Sequence, residues 1–327
     1  VDPLDDLLAE LRSEGEVDSR GSFTLDRKQA RAKLQKFQLA DARRYVLELV
    51  QAAVLRGATR IDFEIDADDM HMRFDGRAFT PAELDDLWGS IFADGDGDDL
   101  RGLRQLALGL NAALGMAPKR IRVVSGTSRI ELRPDRDDVL ETVNGTAPLT
   151  HVHVEQRLSL GLVVDFLRNL TGTLGEETYL HNHCSHCPIP MTLDGKPLAQ
   201  GLALAGALAS MPLELPDVDA SGTMAWRLHD QPAELRLVKD GVWIDTHPLE
   251  QVGPGFVAVV SSSRLRKDVS LAKIVADNAL SQLVGLVRVE RWRLLAQVAE
   301  QIERGDLQAE PALGRMRREA LDHLKGR

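Results

Sequence analysis

Residues 41–66 constrain the fold more than any other stretch of this sequence. From Asp41 to Arg56 the apolar positions Val46, Leu49, Val50, Ala53 and Val54 recur at helical spacing, and Gly57 stands where the helix should stop. TRIDFEID then alternates as a strand does. A second alternating segment, MHMRFDG, pairs naturally with the first. TPAELDDLWGSIF predicts a helix capped by Thr80, with Pro81 at its first position and Glu83 three residues after the cap. Glycines and aspartates in FADGDGDDL read as a mobile, lid-like loop, RGLRQLALGLNAAL as the next helix, and KRIRVVSG, SRIELRP and LTHVHVEQR as strands. Upstream, a short strand is expected near residues 21–25, with Asp26 capping a helix in RKQARAKLQKFQL. This order predicts an α+β sandwich over residues 1–160.

A second, smaller α/β domain is expected over residues 161–268. It opens with a helix in LGLVVDFLRNLTG and continues through strands at IPMTLDG, TMAWRLHD, AELRLVKDGVWIDT and FVAVVSSSR, with Asp240-Gly241 as a hairpin turn. A helical segment, 269–327, is expected to follow, helical from about Ser270 to Glu303 and again from Glu310.

Composition narrows the function classes. The 50 acidic and 40 basic side chains leave a formal charge of -10, which disfavours nucleic acid as a general partner. The opening VDPLDDLLAELRSEGE lacks the basic flank and apolar core of a secretory signal, and no apolar run reaches the ~20 residues of a membrane helix. With Cys184 and Cys187 as its two cysteines, the chain suits a reducing compartment, so a cytoplasmic protein that does not enter membranes is expected.

Three stretches in order carry a resemblance. YVLELVQAAVLRGATRIDFEID resembles, without a gap, the helix-to-strand element of the GHKL, or Bergerat-fold, ATPases, which include heat-shock chaperone and MutL-type ATPase domains. FDG followed by TPAEL is similar to the family's D-x-G-x-G strand end and the helix after it. GLRQLALGLNAAL resembles the glycine-bearing helix start that follows the ATP lid. The resemblance covers roughly residues 20–155 and implies a nucleotide-binding fold with ATP or ADP as ligand.

What that resemblance implies for single residues is uneven. On the helix, Glu48, Gln51, Ala52 and Leu55 share one face. Glu48 matches the family's general base, which would orient or deprotonate water near a γ-phosphate. Ala52 stands where a magnesium-binding asparagine is usual and Leu55 where an aspartate is usual, so magnesium loses its protein ligand. Asp75 is the candidate for adenine recognition, with a one-residue shift, because gap-free counting from TPAEL puts Phe74 on the aspartate and Gly76 on the first glycine. Ala78 replaces the second glycine. Gln51, Gly76, Gly109 and Arg104 complete the expected nucleotide contacts, the glycines by admitting backbone and Arg104 by contacting phosphate. In SSSRLRKDVS, Arg264, Arg266 and Lys267 lie where relatives carry a basic residue that reaches the γ-phosphate.

Two other constellations bear on metals. HNHCSHC places His181, His183, Cys184, His186 and Cys187 within seven positions, a composition that suits zinc. A closed zinc site wants a second pair of ligands, which His151 or His153 could supply, and without one the run is expected to be metal-free or weakly occupied. DGDGDD begins like a calcium loop, but counting from Asp94 gives Asp99 at the sixth place and Gln105 at the twelfth, where glycine and glutamate are needed.

Three functions follow as alternatives. One is a degenerate ATPase-like module that binds nucleotide weakly or not at all and acts, in the manner of a chaperone or regulator, on protein partners or a second copy of itself. Another is a slow ATPase using Glu48. The third is a scaffold whose pocket is filled by side chains such as Leu55 and Phe74.

Overall fold

A computed structural model describes residues 41–66, 68–156, 175–198, 201–204, 206–227, 231–250, 252–268 and 270–305. The strand expected near 21–25 and the helices expected after Asp26, at 160–172 and after Glu310 lie outside these residues.

The chain is α+β and divides into two units, one reaching from Val1 to Gly201 with Asp240–Val242, the other comprising Leu202–Lys239 and Trp243–Arg327. In the first unit Asp41 accepts a hydrogen bond from Arg43 N at 2.9 Å and starts a 3₁₀ turn, Ala42–Arg44, which leads into helix α1, Tyr45–Leu55. Ten of the eleven residues of α1 are buried. A helix buried all round sits inside its unit, and no polar face of it meets solvent. Gly57, at φ +73°, ends it.

Strands β1 (Ile61–Ile65) and β2 (Asp69–Phe74) pair antiparallel, with Phe63 opposite Met72. Thr80 and Glu83 form the expected capping box, yet helix α2 spans only Pro81–Asp85, and a 3₁₀ turn at Gly89–Ile91 takes the place of its remainder. Helix α3 runs from Asp98 to Gly115, with Gly97 as its N-cap. KRIRVVSG and SRIELRP are one strand, β3 (Arg120–Leu132), whose register with β4 (Val139–Glu155) shifts around Gly126. After helix α4 (Gly175–His183), β5 (Met191–Leu193) pairs parallel with β1 and antiparallel with β6 (Lys196–Pro197). The sheet order is β3-β4-β2-β1-β5-β6. IPMTLDG, expected within the second domain, thus supplies a strand of the first sheet, between β1 and β6, and the first unit extends to Gly201 instead of stopping at 160.

Alternation gives this sheet two unlike faces. Ile61, Phe63, Met70, Met72, Phe74, Ile121, Val123, Val152 and Val154 are buried. Between them the opposite face carries Asp62, Glu64, Asp69, His71, Arg73, Arg122, His151 and His153, partly or fully open to solvent.

The second unit holds a sheet of order β10-β9-β11-β8-β7, formed by β7 (Ala209–Leu215), β8 (Ala220–Trp226), β9 (Glu234–Lys239), β10 (Val242–Pro248) and β11 (Phe256–Ser262). Phe256 to Val260 are all buried, as befits an interior strand paired on both sides. Asp240 and Gly241 turn between β9 and β10 with φ of 47° and 84°, the two positive angles of a type I′ hairpin. Helix α5 begins at Asn278, later than expected, where the Asp277 carboxylate accepts from Leu280 N at 3.0 Å. Among the described residues no helix is long and apolar enough to cross a membrane.

Candidate functional site

The three segments that carry the family resemblance meet at the C-terminal end of α1, and what they enclose is a guanidinium. Arg56 follows the last residue of α1, and its side chain is 3% exposed. Its Nε donates to Arg77 O at 3.1 Å, Nη2 to Ala78 O at 2.7 Å, and Nη1 and Nη2 to the two oxygens of Glu83 at 2.8 and 3.1 Å. Asp99, in the first turn of α3, adds Oδ1 at 3.1 Å and its carbonyl at 3.3 Å, both from Nη1. The Phe79 ring stacks on the guanidinium at 4.4 Å. All three guanidinium nitrogens are thus engaged, and the planar fork meets the Glu83 carboxylate bidentately. Burial would raise the Glu83 carboxyl, but the bonds from Arg56 and from Thr80 N outweigh it and hold it below the usual range.

Asp75 is spent on the same framework. Its carboxylate accepts from Thr59 N at 2.6 Å, from the Thr59 hydroxyl and from Arg60 N at 2.9 Å, which ties the end of β2 to the start of β1. The Thr59 hydroxyl bond leads in holding its pKa below the ordinary value. Gly76, at φ +104°, brings its backbone against that of residues 56–58, so a Cβ there would lie 2.8 Å from Arg56 O. The glycine serves a close approach of protein to protein.

The other sequence-derived positions are also placed in packing. Glu48 and Gln51 are 3% and 0% exposed, Ala52 is 0% and Leu55 7%. Helix α3 lies along α1, where a Cβ on Gly109 would stand 3.0 Å from Leu49 Cδ2 and 3.3 Å from Glu48 Cβ. Gly109 lets two helices meet. Arg104 donates to Ser90 O, Ala93 O and Gly95 O at 3.3, 2.7 and 3.4 Å, so it holds the backbone of the acidic loop and its guanidinium is committed there. Asp98 and Asp99 of the calcium-like run belong to α3. In the second unit Arg264 donates to Asp217 O at 2.8 Å, Arg266 pairs with Asp277 at 3.0 Å, and Lys267 bridges Ile274 through backbone.

Cys184 and Cys187 are buried at 0% and 1% exposure, and His186 is also buried, with Nδ1 3.4 Å from Gly201 O. His183 is half-buried at the end of α4. Burial pushes the Cys184 thiol well up and Cys187 to about 11, so both are neutral thiols that pack as small hydrophobes. Among the described residues, ligand atoms converge elsewhere, at Asp69, His71 and His153, which all lie within 4.8 Å of one another, and at Asp66, Asp68 and Asp69.

The histidines occupy the open face of the first sheet. His71 stands directly opposite His153, and their rings stack at 4.1 Å with planes 18° apart. His153 Nε2 lies 2.5 Å from Asp69 Oδ1, and His151 Nε2 lies 3.0 Å from His71 Nδ1. Burial and then the charge of Arg73 push His151 down to about 4, and burial lowers His71 in the same sense. The alternation in LTHVHVEQR reveals the shared face of His151 and His153. Their meeting with His71 depends on a pairing register that the sequence does not specify.

No protein-family model matches the chain, and no curated protein matches it.

Proposed function

We propose that this chain is a degenerate relative of the GHKL ATPases whose nucleotide position is taken by its own Arg56 network, and that it acts as a regulatory or chaperone-like module on protein partners without hydrolysing ATP. The guanidinium of Arg56 carries the reading. It joins the segments that the resemblance assigns to adenine, phosphate and catalytic base, and all its nitrogens are bonded to protein. Opening a cavity there would part the buried Arg56 guanidinium, 3% exposed, from the carboxylate and carbonyl oxygens that satisfy it, a cost of several kcal/mol. Magnesium chemistry is disfavoured for a second reason, since Ala52 offers no oxygen. A protein partner is favoured by the outer part of β4, where Val139 and Leu140 are 49% and 36% exposed.

Calorimetric titration with ATP and ADP, with and without magnesium, tests the reading. The expected result is no saturable binding below ~1 mM, an affinity of only about 4 kcal/mol, and phosphate release at background. Magnesium-dependent turnover abolished by Glu48→Ala would establish the slow ATPase instead.

A further inference from the structure

The open face of the first sheet presents a ligand set that the nucleotide-fold reading does not use. β2 contributes Asp69 and His71, two residues apart and therefore on one face, and β4 contributes His151 and His153 in the same way. Antiparallel register puts His71 directly opposite His153. The side chains converge, because one ligand atom from each of Asp69, His71 and His153 lies within 4.8 Å of the other two. We propose that Asp69, His71 and His153 bind one divalent transition-metal ion of the borderline class, zinc above all, with His151 holding the His71 ring in place through the 3.0 Å contact between their nitrogens.

The chemistry selects the ion. Two imidazoles and one carboxylate suit zinc, cobalt or nickel, whereas magnesium and calcium require oxygen ligands throughout. Bond lengths of about 2.0–2.2 Å to nitrogen and oxygen set neighbouring ligand atoms roughly 3.5 Å apart, so small side-chain rotations that part His153 Nε2 and Asp69 Oδ1, 2.5 Å apart, would seat an ion among the three residues. Three protein ligands leave a fourth position for water or for a group from a partner. The cations nearby are already matched, Arg73 to Glu64 at 2.8 Å and Arg122 to Glu131 at 3.0 Å. His151 occupies the place of the outer hydrogen-bonding partner that fixes ring orientation in metal-binding histidines.

The test uses tag-free full-length protein stripped with chelator and titrated with zinc chloride at pH 7.5 by calorimetry, with cobalt absorption as a second readout. One ion per chain is expected, and Cys184→Ser/Cys187→Ser should bind it equally well. His71→Ala and His153→Ala should each weaken binding by more than the roughly tenfold that loss of an outer hydrogen-bonding partner costs. Because these side chains lie on the open face, the variants should keep the wild-type circular dichroism. His153→Gln, which preserves bulk, should show the same loss. Zinc should also raise the Tm of the wild type and not that of His153→Ala. Absence of saturable zinc binding would overturn the proposal and leave Asp69 and His153 as an ordinary hydrogen-bonded pair. So would binding that survives His153→Ala and His153→Gln, or binding lost in the double cysteine variant.

Discussion

At the scale of single residues, Arg56 decides how the first unit is organised. Arg56→Ala should destabilise the protein by roughly 3 kcal/mol, because it strips two carboxylates, three carbonyl oxygens and a stacked ring of their common partner. Arg56→Lys should recover only part of this, since an ammonium can neither fork onto Glu83 nor stack on Phe79; urea denaturation measures both. Gly76→Ala should cost more than about 1 kcal/mol by the same assay, given a positive φ and backbone against the new Cβ. His151 adds a pH dependence. Its native pKa of about 4 lies below the ordinary 6.5, so the unfolded chain takes up a proton that the native protein refuses. Stability should therefore fall as pH drops from about 6.5 towards 4 and level off below, with His71 adding in the same direction. The urea midpoint should follow this course, and His151→Gln should flatten it. Glu48, Asp75 and Gly109 stood out in the sequence because type and spacing are visible there. Arg56 did not, because its partners come from three separate segments, although an arginine closing an otherwise apolar helix was a signal that could have been weighed.

Among elements, those with strong local chemistry were legible: α1 with its glycine stop, the Thr80 and Glu83 capping box, the Asp240-Gly241 hairpin and the alternating pairs of the first sheet. Lengths were less so. The apolar positions Leu84, Leu87, Trp88 and Ile91 fit a continuous helix, yet Asp85 and Asp86 place two negative charges at the carbonyl end of α2, where the helix dipole disfavours them. The chain therefore turns and resumes as 3₁₀. β3 looked like two strands because Gly126 suggests a turn, and the structure absorbs it as a register shift within one. Thr80→Ala should cost about 1 kcal/mol, a typical cap loss. The loop over residues 92–97 looked like a free lid, but Arg104 fixes its carbonyls. Arg104→Ala should therefore speed limited proteolysis between 92 and 97 while leaving circular dichroism unchanged; equal cleavage rates would show that the arginine does not restrain the loop.

For the molecule as a whole, α+β character was evident from the order of helical and alternating segments, whereas the limit of the first unit was not. Periodicity shows that residues 191–193 form a strand, but only three-dimensional pairing shows that its neighbour is β1. A chain cut after residue 160 loses that neighbour, together with Leu180, Cys184, Cys187 and Met191 from the buried interior. It should unfold with a shallow, uncooperative urea transition, while a chain cut after 201, which lacks only Asp240–Val242 of the unit, should keep a steeper one. The parallel pair also sets a schedule for the nascent protein. Thr192 and Asp62, bonded at 2.8 Å, are 130 residues apart in sequence. At synthesis rates of about 5–20 residues per second, that separation amounts to roughly 6–26 s. Throughout that interval one side of β1 waits on the ribosome for a strand that has yet to be made.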